Sequence, residues 1–246
     1  MQQKRFISVL LAMVMTLMAC VSSLTVFASA TENIEEVTLS QPMSTTAQTC
    51  VAMTVGSDEN DRNFTWYFNS SESGYLEIAK RNGTTFPTVY ESYKSSVGYS
   101  SVRSCYYHRV AVYNLDPDTQ YVYRLRNGSV VSKNYYFKTD ATDEFSFVFV
   151  GDPQIGASGS SGNDGKNWNN TVNTINQMFP DNALLVLAGD QVELYNSESQ
   201  YNDFLSPSLL PSYAMARSIG NHESYYKIDE NYPKSLSLHK EHFYDP

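Results

Sequence analysis

The feature that most limits what this 246-residue chain can become is a change of rhythm near residue 140. Before it, short runs rich in Val, Thr, Tyr and Phe recur at 49–55, 64–69, 75–80, 104–113, 120–126 and 130–138. β-Branched and aromatic side chains pack well on pleated surfaces, so these runs read as strands. Asn82-Gly83 and Asn127-Gly128 are turn dipeptides, since Asn and Gly accept the positive φ of tight hairpins. The spacing predicts an all-β sandwich over 49–141. After the break, 145–150 and 183–188 are continuous apolar runs, the pattern of strands buried on both faces. A Gly/Ser/Asn-rich loop fills 156–167. Trp168, Val172, Ile175 and Phe179 then recur at helical spacing until Pro180-Asp181. A weaker helix over 197–205 carries Tyr201, Phe204 and Leu205 on its apolar side, and 213–219 is a third strand. This alternation predicts the first part of an α/β domain over 142–246. Three parallel strands with an unpaired edge do not complete a fold, so an incomplete domain is expected.

The first thirty residues read as a secretory signal peptide. Lys4 and Arg5 precede an uncharged apolar run over 7–21, and Ala28-Ser29-Ala30 is a small-x-small cleavage site. That run is shorter than the roughly 20 residues of a spanning helix, and no second one follows, so the mature chain is expected to carry no transmembrane segment. A rival is a lipoprotein box, Leu17-Met18-Ala19-Cys20, which would anchor the chain through Cys20, although Met18 suits it poorly. Residues 31–48 are polar and aperiodic and read as a flexible lead-in. Export would remove two positive charges and no acids from a chain of net charge −9. Such an acidic surface repels phosphate backbones and argues against nucleic-acid binding. Cys50 and Cys105 would be the remaining cysteines; buried unpaired thiols are favoured over a disulfide, which an oxidising compartment would also permit. The 19 tyrosines invite a carbohydrate-binding reading, but most lie on strand-like stretches, where aromatics pack anyway.

Each α/β strand ends in a polar cluster: Gly151-Asp152-Pro153-Gln154, Gly189-Asp190-Gln191 and Gly220-Asn221-His222-Glu223. The carboxyl ends of parallel strands share one edge of a sheet, where ligands bind, so three distant clusters should meet. Oxygen and imidazole donors suit Mn, Fe or Zn. Two carboxylates crowded together repel, and cations remove that penalty. With one carboxylate bridging, two cations can sit roughly 3.5–4 Å apart and clamp an attacking oxygen and a phosphoryl group between them.

The ordered GD, GD and GNHE set resembles the first three metal-site blocks of purple acid phosphatases, within the metallophosphoesterases. Leu115, Pro117, Thr119 and Tyr121 are similar to the tyrosine corner of fibronectin type III domains, matching the N-terminal domain such enzymes often carry. The resemblance implies that Asp152 binds one metal, Asp190 bridges both and Asn221 binds the second. It implies that His222 acts on the phosphoryl oxygens or leaving group as a positioned acid, with Glu223 orienting it. Two departures stand out. The family's second block carries a tyrosine where this chain has Glu193, so no purple ferric centre is expected. Gln154 stands where wider metallophosphoesterases have a histidine ligand, and an amide is a weaker one. The family's later histidine blocks have no counterpart here; His239 and His242 read as part of a surface helix or loop. The resulting expectation is an exported, dinuclear-metal, acid phosphatase-like hydrolase of small phosphate monoesters, represented by a fragment of low intrinsic activity. Alternatives are a phosphodiesterase or nucleotide hydrolase, and a surface-binding protein with a degenerate phosphatase domain. Metal identity and oligomeric state stay open.

Overall fold

The structure is a computed structural model that describes residues 47–224 and 232–246. The expected signal peptide and most of the lead-in lie outside these residues. No described helix is long and apolar enough to cross a membrane.

Among the described residues, nine strands precede residue 141: β1 Thr49–Val55, β2 Arg62–Phe68, β3 Tyr75–Lys80, β4 Glu91–Lys94, β5 Ser96–Ser100, β6 Cys105–Val112, β7 Gln120–Asn127, β8 Val130–Val131 and β9 Tyr135–Lys138. Strands β4 and β5 escape the sequence pattern because their segment is dominated by Ser, Tyr and Lys rather than alternating apolar residues. The expected strand at 130–138 is split. Ser132 bonds Leu125 through both its N–H (2.9 Å) and its hydroxyl (2.9 Å), which bends the chain between β8 and β9. The tyrosine corner forms as anticipated, with the Asp116 N–H donating to the Tyr121 hydroxyl at 2.8 Å.

The second half supplies β10 Phe147–Val150, α1 Ser161–Met178, β11 Leu184–Leu187, α2 Glu198–Phe204, β12 Ala214–Arg217 and α3 Tyr232–His242. Helix α1 starts inside the segment expected to be a loop. Gly165 lets it approach α2 closely, since a Cβ there would lie 2.9 Å from the Asp203 Cβ. Packing therefore overrides the weak helix propensity of its Gly, Ser and Asn residues.

The strands β10, β11 and β12 pair in parallel, in register, as expected. Their sheet is not left open at β12. That strand pairs with β1 through Thr54 and Met215, so one seven-stranded sheet runs β10-β11-β12-β1-β2-β6-β5 across both halves of the chain. The second sheet, β4-β3-β7-β8 with β9 beside β7, covers the sandwich side. Because side chains alternate along a strand, β1 serves two cores. Val51 and Met53 join Phe64, Trp66, Leu76 and Tyr123, whereas Ala52 joins Trp168, Leu185, Tyr201 and Phe204. The expectation that β10 is buried on both faces needs correction. Val148 and Val150 pack inward, but Phe147 and Phe149 are 51% and 64% exposed. The sandwich-side core reaches Leu184 and Ala214 yet stops short of the β10 edge.

A second correction concerns α3. His239 and His242 are buried rather than on a surface. His242 stacks on Tyr201 and its Nε2 lies 3.1 Å from Glu198 Oε2, which also accepts from Arg103 at 2.5 Å. Burial pushes the Glu198 carboxyl up, but His242 and then Arg103 outweigh it and hold the group below its ordinary value. Cys50 and Cys105 are unpaired thiols, as favoured.

Candidate functional site

Register aligns the three strand ends: Val150 is opposite Leu187, and Leu187 is opposite Arg217. Each chain then breaks into a turn on the same edge. The turns are sharp. Asp152, Gln154 and Asp190 have φ of 40°, 40° and 48°, and Gly189 has φ of 106°. Left-handed backbone costs a non-glycine residue roughly 1–2 kcal/mol, and such strain gathers at functional sites. Gly189 and Gly220 are required by close approach. A Cβ on Gly189 would sit 2.7 Å from the Gly220 Cα, and one on Gly220 would sit 2.0 Å from Asp190 Oδ1.

Main-chain hydrogen bonds lock the first two turns together. Gln154 N–H donates to the Asp190 carbonyl at 2.8 Å, Ile155 N–H to that of Gln191 at 3.2 Å, and Glu193 N–H to that of Ile155 at 3.0 Å. The third turn docks on the second through His222 N–H, which donates to Asp190 Oδ1 at 2.9 Å. Glu223 completes the joint. Its buried carboxylate accepts four main-chain N–H groups, those of Asp190 (3.0 Å), Gln191 (2.8 Å), Val192 (3.3 Å) and Gly220 (2.9 Å). Glu223 thus supports the loops beneath the rim. The Glu193 carbonyl oxygen lies 2.8 Å from His222 Nδ1.

The first turn is steadied from α1. Asp164 accepts the N–H groups of Gly156 (2.9 Å) and Ser158 (3.2 Å). The Ser158 hydroxyl foremost, then those two amides, hold the Asp164 carboxyl below its ordinary range.

The expected residues fall as follows. Asp190, Gln154, His222 and Glu223 are brought into one hydrogen-bonded assembly. Asp152 and Asn221 lie at the exposed ends of the first and third turns, adjoining it in the chain. His222 is 8% exposed, and its Nε2 lies 2.9 Å from Gln154 Nε2, which also donates to Glu193 Oε2 at 2.9 Å. In the sequence Glu193 stands out as the residue in place of the family tyrosine; its contacts with Gln154 and His222 are visible only once the turns are joined. Among the described residues, no group of three or more His, Cys, Asp or Glu side chains is arranged to hold a metal ion. Asp152, Asp190 and Asn221 are oxygen donors, a set that fits part of the shell of a hard or borderline cation.

Residues 49–139 match the family model described as purple acid phosphatase, N-terminal domain. Among solved structures, purple acid phosphatase PPD1 from yellow lupin (Lupinus luteus) seeds aligns with a TM-score of 0.63 and 19% identity, over 82% of this chain and 41% of that one. This chain therefore spans less than half the length of the lupin protein. The vertebrate protein Astrotactin-2 aligns with a TM-score of only 0.31 at 11% identity, over 55% of this chain and 26% of that one, too weak a likeness to bear on the fold. No curated protein sequence matches. Residues 49–139 thus form a domain of the kind described as purple acid phosphatase, N-terminal domain, and a mixed α/β sheet is fused directly to it in a fold shared with the lupin protein.

Proposed function

We propose that this chain contributes to metal-dependent hydrolysis of small phosphate monoesters, outside the cytoplasm. The observation that carries the reading is the joining of three strand-end turns through Asp190, whose carbonyl receives Gln154 N–H and whose carboxylate receives His222 N–H. Asp152, Asp190 and Asn221 would hold oxygen-preferring cations, Asp190 between two of them, with Fe, Mn or Zn as candidates. When bound, such ions supply charge neutralisation and activation of water for in-line attack. The chain's own residues do the rest. Glu223 holds the second and third turns in one frame, which would keep Asp190 and Asn221 near one another. His222, whose main-chain N–H donates to Asp190, would meet the phosphoryl oxygens and handle the leaving-group proton. With Glu193 in place of the family tyrosine, the centre should lack the purple charge-transfer band. The N-terminal thirty residues support export, which N-terminal sequencing of the protein released by the producing cells tests by revealing a start at Thr31.

The functional test is p-nitrophenyl phosphate hydrolysis after reconstitution with Mn, Zn or Fe, paired with metal analysis of the dialysed protein. Asp190→Ala should lose both bound metal and turnover. His222→Ala should retain metal and lose turnover by about 10²–10⁴-fold, the usual contribution of a positioned acid. Metal binding with no hydrolysis would favour a binding role, and equal rates in both variants and the parent would end the hydrolase reading.

A further inference from the structure

We infer that Glu193 is a positioning residue for His222, acting through the Gln154 amide and through its own main-chain carbonyl. The inference deepens the phosphatase reading and rests on it for its catalytic consequence. Four hydrogen-bonding groups form a closed circuit. Gln154 Nε2 lies 2.9 Å from Glu193 Oε2 and 2.9 Å from His222 Nε2. On the far side of the ring, His222 Nδ1 lies 2.8 Å from the Glu193 carbonyl oxygen and 3.4 Å from Glu193 Oε2. The circuit starts and ends on one residue.

Its direction follows from what each group can do. An ionised carboxylate only accepts, so Glu193 must face the NH₂ end of Gln154; the flipped amide would set two acceptors against each other. The second N–H of that NH₂ then points at His222 Nε2, which must accept. The ring proton is left on Nδ1, where a carbonyl waits for it. Every member is satisfied in only one sense. The imidazole is thereby held as one tautomer, with Nε2 as the atom that a ligand on the rim meets once Gln154 yields. The Glu193 side chain is 32% exposed. Its position three residues after Asp190, on the strand extension paired through Val192 and Ile155, fixes its carbonyl against the third turn. A tyrosine at this position could not supply the accept-only end of the circuit.

The test uses the whole chain, labelled with ¹⁵N, and imidazole nitrogen spectra at a pH where histidines are neutral. His222 signals are identified by their loss in His222→Asn, and His108 in the sandwich reports an intact fold. The parent should show His222 protonated on Nδ1 with Nε2 bare. Glu193→Ala keeps the main-chain carbonyl but frees the Gln154 amide to flip and accept from Nε2, so it should raise the share of the Nε2-protonated tautomer with His108 unmoved. Glu193→Gln should restore the single tautomer, because its amide oxygen can accept from Gln154. In phosphate-ester hydrolysis, Glu193→Ala should lower kcat about tenfold with KM unchanged, and Glu193→Gln should recover it. A His222 protonated on Nε2 in the parent, or a pair unmoved in Glu193→Ala, would overturn the inference. A parent chain with no hydrolysis would sink the phosphatase reading instead, and the nitrogen spectra would still decide the role of Glu193.

Discussion

Replacing Glu223 by Gln tests whether the rim is one mechanical piece. The carboxylate is fully buried and each of its oxygens accepts two main-chain N–H groups, Oε2 from Asp190 and Gly220, Oε1 from Gln191 and Val192. An amide of the same shape keeps one accepting oxygen and turns its NH₂ toward two donors. Two charge-assisted bonds are lost, each worth roughly 1.5–3 kcal/mol, and two N–H groups are left facing another donor. Relief of the buried charge offsets part of this, because isolated ions are costly to desolvate. The net expectation is a loss of about 2–4 kcal/mol, a large share of the 5–15 kcal/mol of a typical domain. Urea denaturation followed by intrinsic fluorescence reads it as a lower midpoint at unchanged slope. Metal uptake should weaken alongside, since Asp190 sits in the loop that Glu223 holds. A stability loss below about 0.5 kcal/mol, the range of ordinary surface substitutions, would show that the four N–H groups find other partners and that the clamp argument is wrong.

Burial pushes His108 down to about 4, against hydrogen bonds to the Phe68 and Ser70 backbone that favour its charged form. Its folded value thus lies below its unfolded one, so its contribution is intact above about pH 6.5 and is lost as pH falls toward about 4. His108→Gln should remove about 2 kcal/mol of the stability difference between about pH 7.5 and pH 4.5, read by urea titration at both pH values. Gly220→Ala would place a Cβ 2.0 Å from Asp190 Oδ1 and 2.4 Å from its backbone N; metal analysis should show a loss of bound ion close to that of Asp190→Ala. Tyr121→Phe removes the acceptor of the Asp116 N–H and should cost about 1 kcal/mol in denaturant unfolding without touching the rim.

Much of this fold is legible because its signals are local. The tyrosine corner at 115–121 and the apolar runs that become β11 and β12 are set by residues close in sequence. What escaped depends on distant partners. Helix α1 begins at Ser161 because Gly165 nestles against Asp203, a contact that no propensity scale contains. His239 and His242 looked like surface residues since their partners, Arg217 and Glu198, are remote in the chain. The phenylalanines of β10 looked like core because an apolar run does not say which of its faces another layer covers. At the rim, the Gly-Asp and Gly-Asn pairs identified the turning points, and Asp190, Gln154 and His222 do come together. Glu223 was anticipated as a supporting group but not as a backbone clamp. Glu193 could be flagged only as an oddity, because its meaning lies in two atoms contributed by residues 39 and 29 positions away.

The pairing of β1 with β12 has a mechanical consequence. A protease or a gene fusion that separated the halves near residue 141 would strip a partner from two strands at once, and would also part the buried Tyr123 hydroxyl from the Pro211 carbonyl that receives it at 2.9 Å. Neither piece would be released clean, since Ala52 and Ala214 each sit in the other half's apolar interior. Tension applied to the N-terminal sheet would run straight along hydrogen-bonded backbone toward the turn that bears Asn221 and His222, with no slack joint between to absorb it.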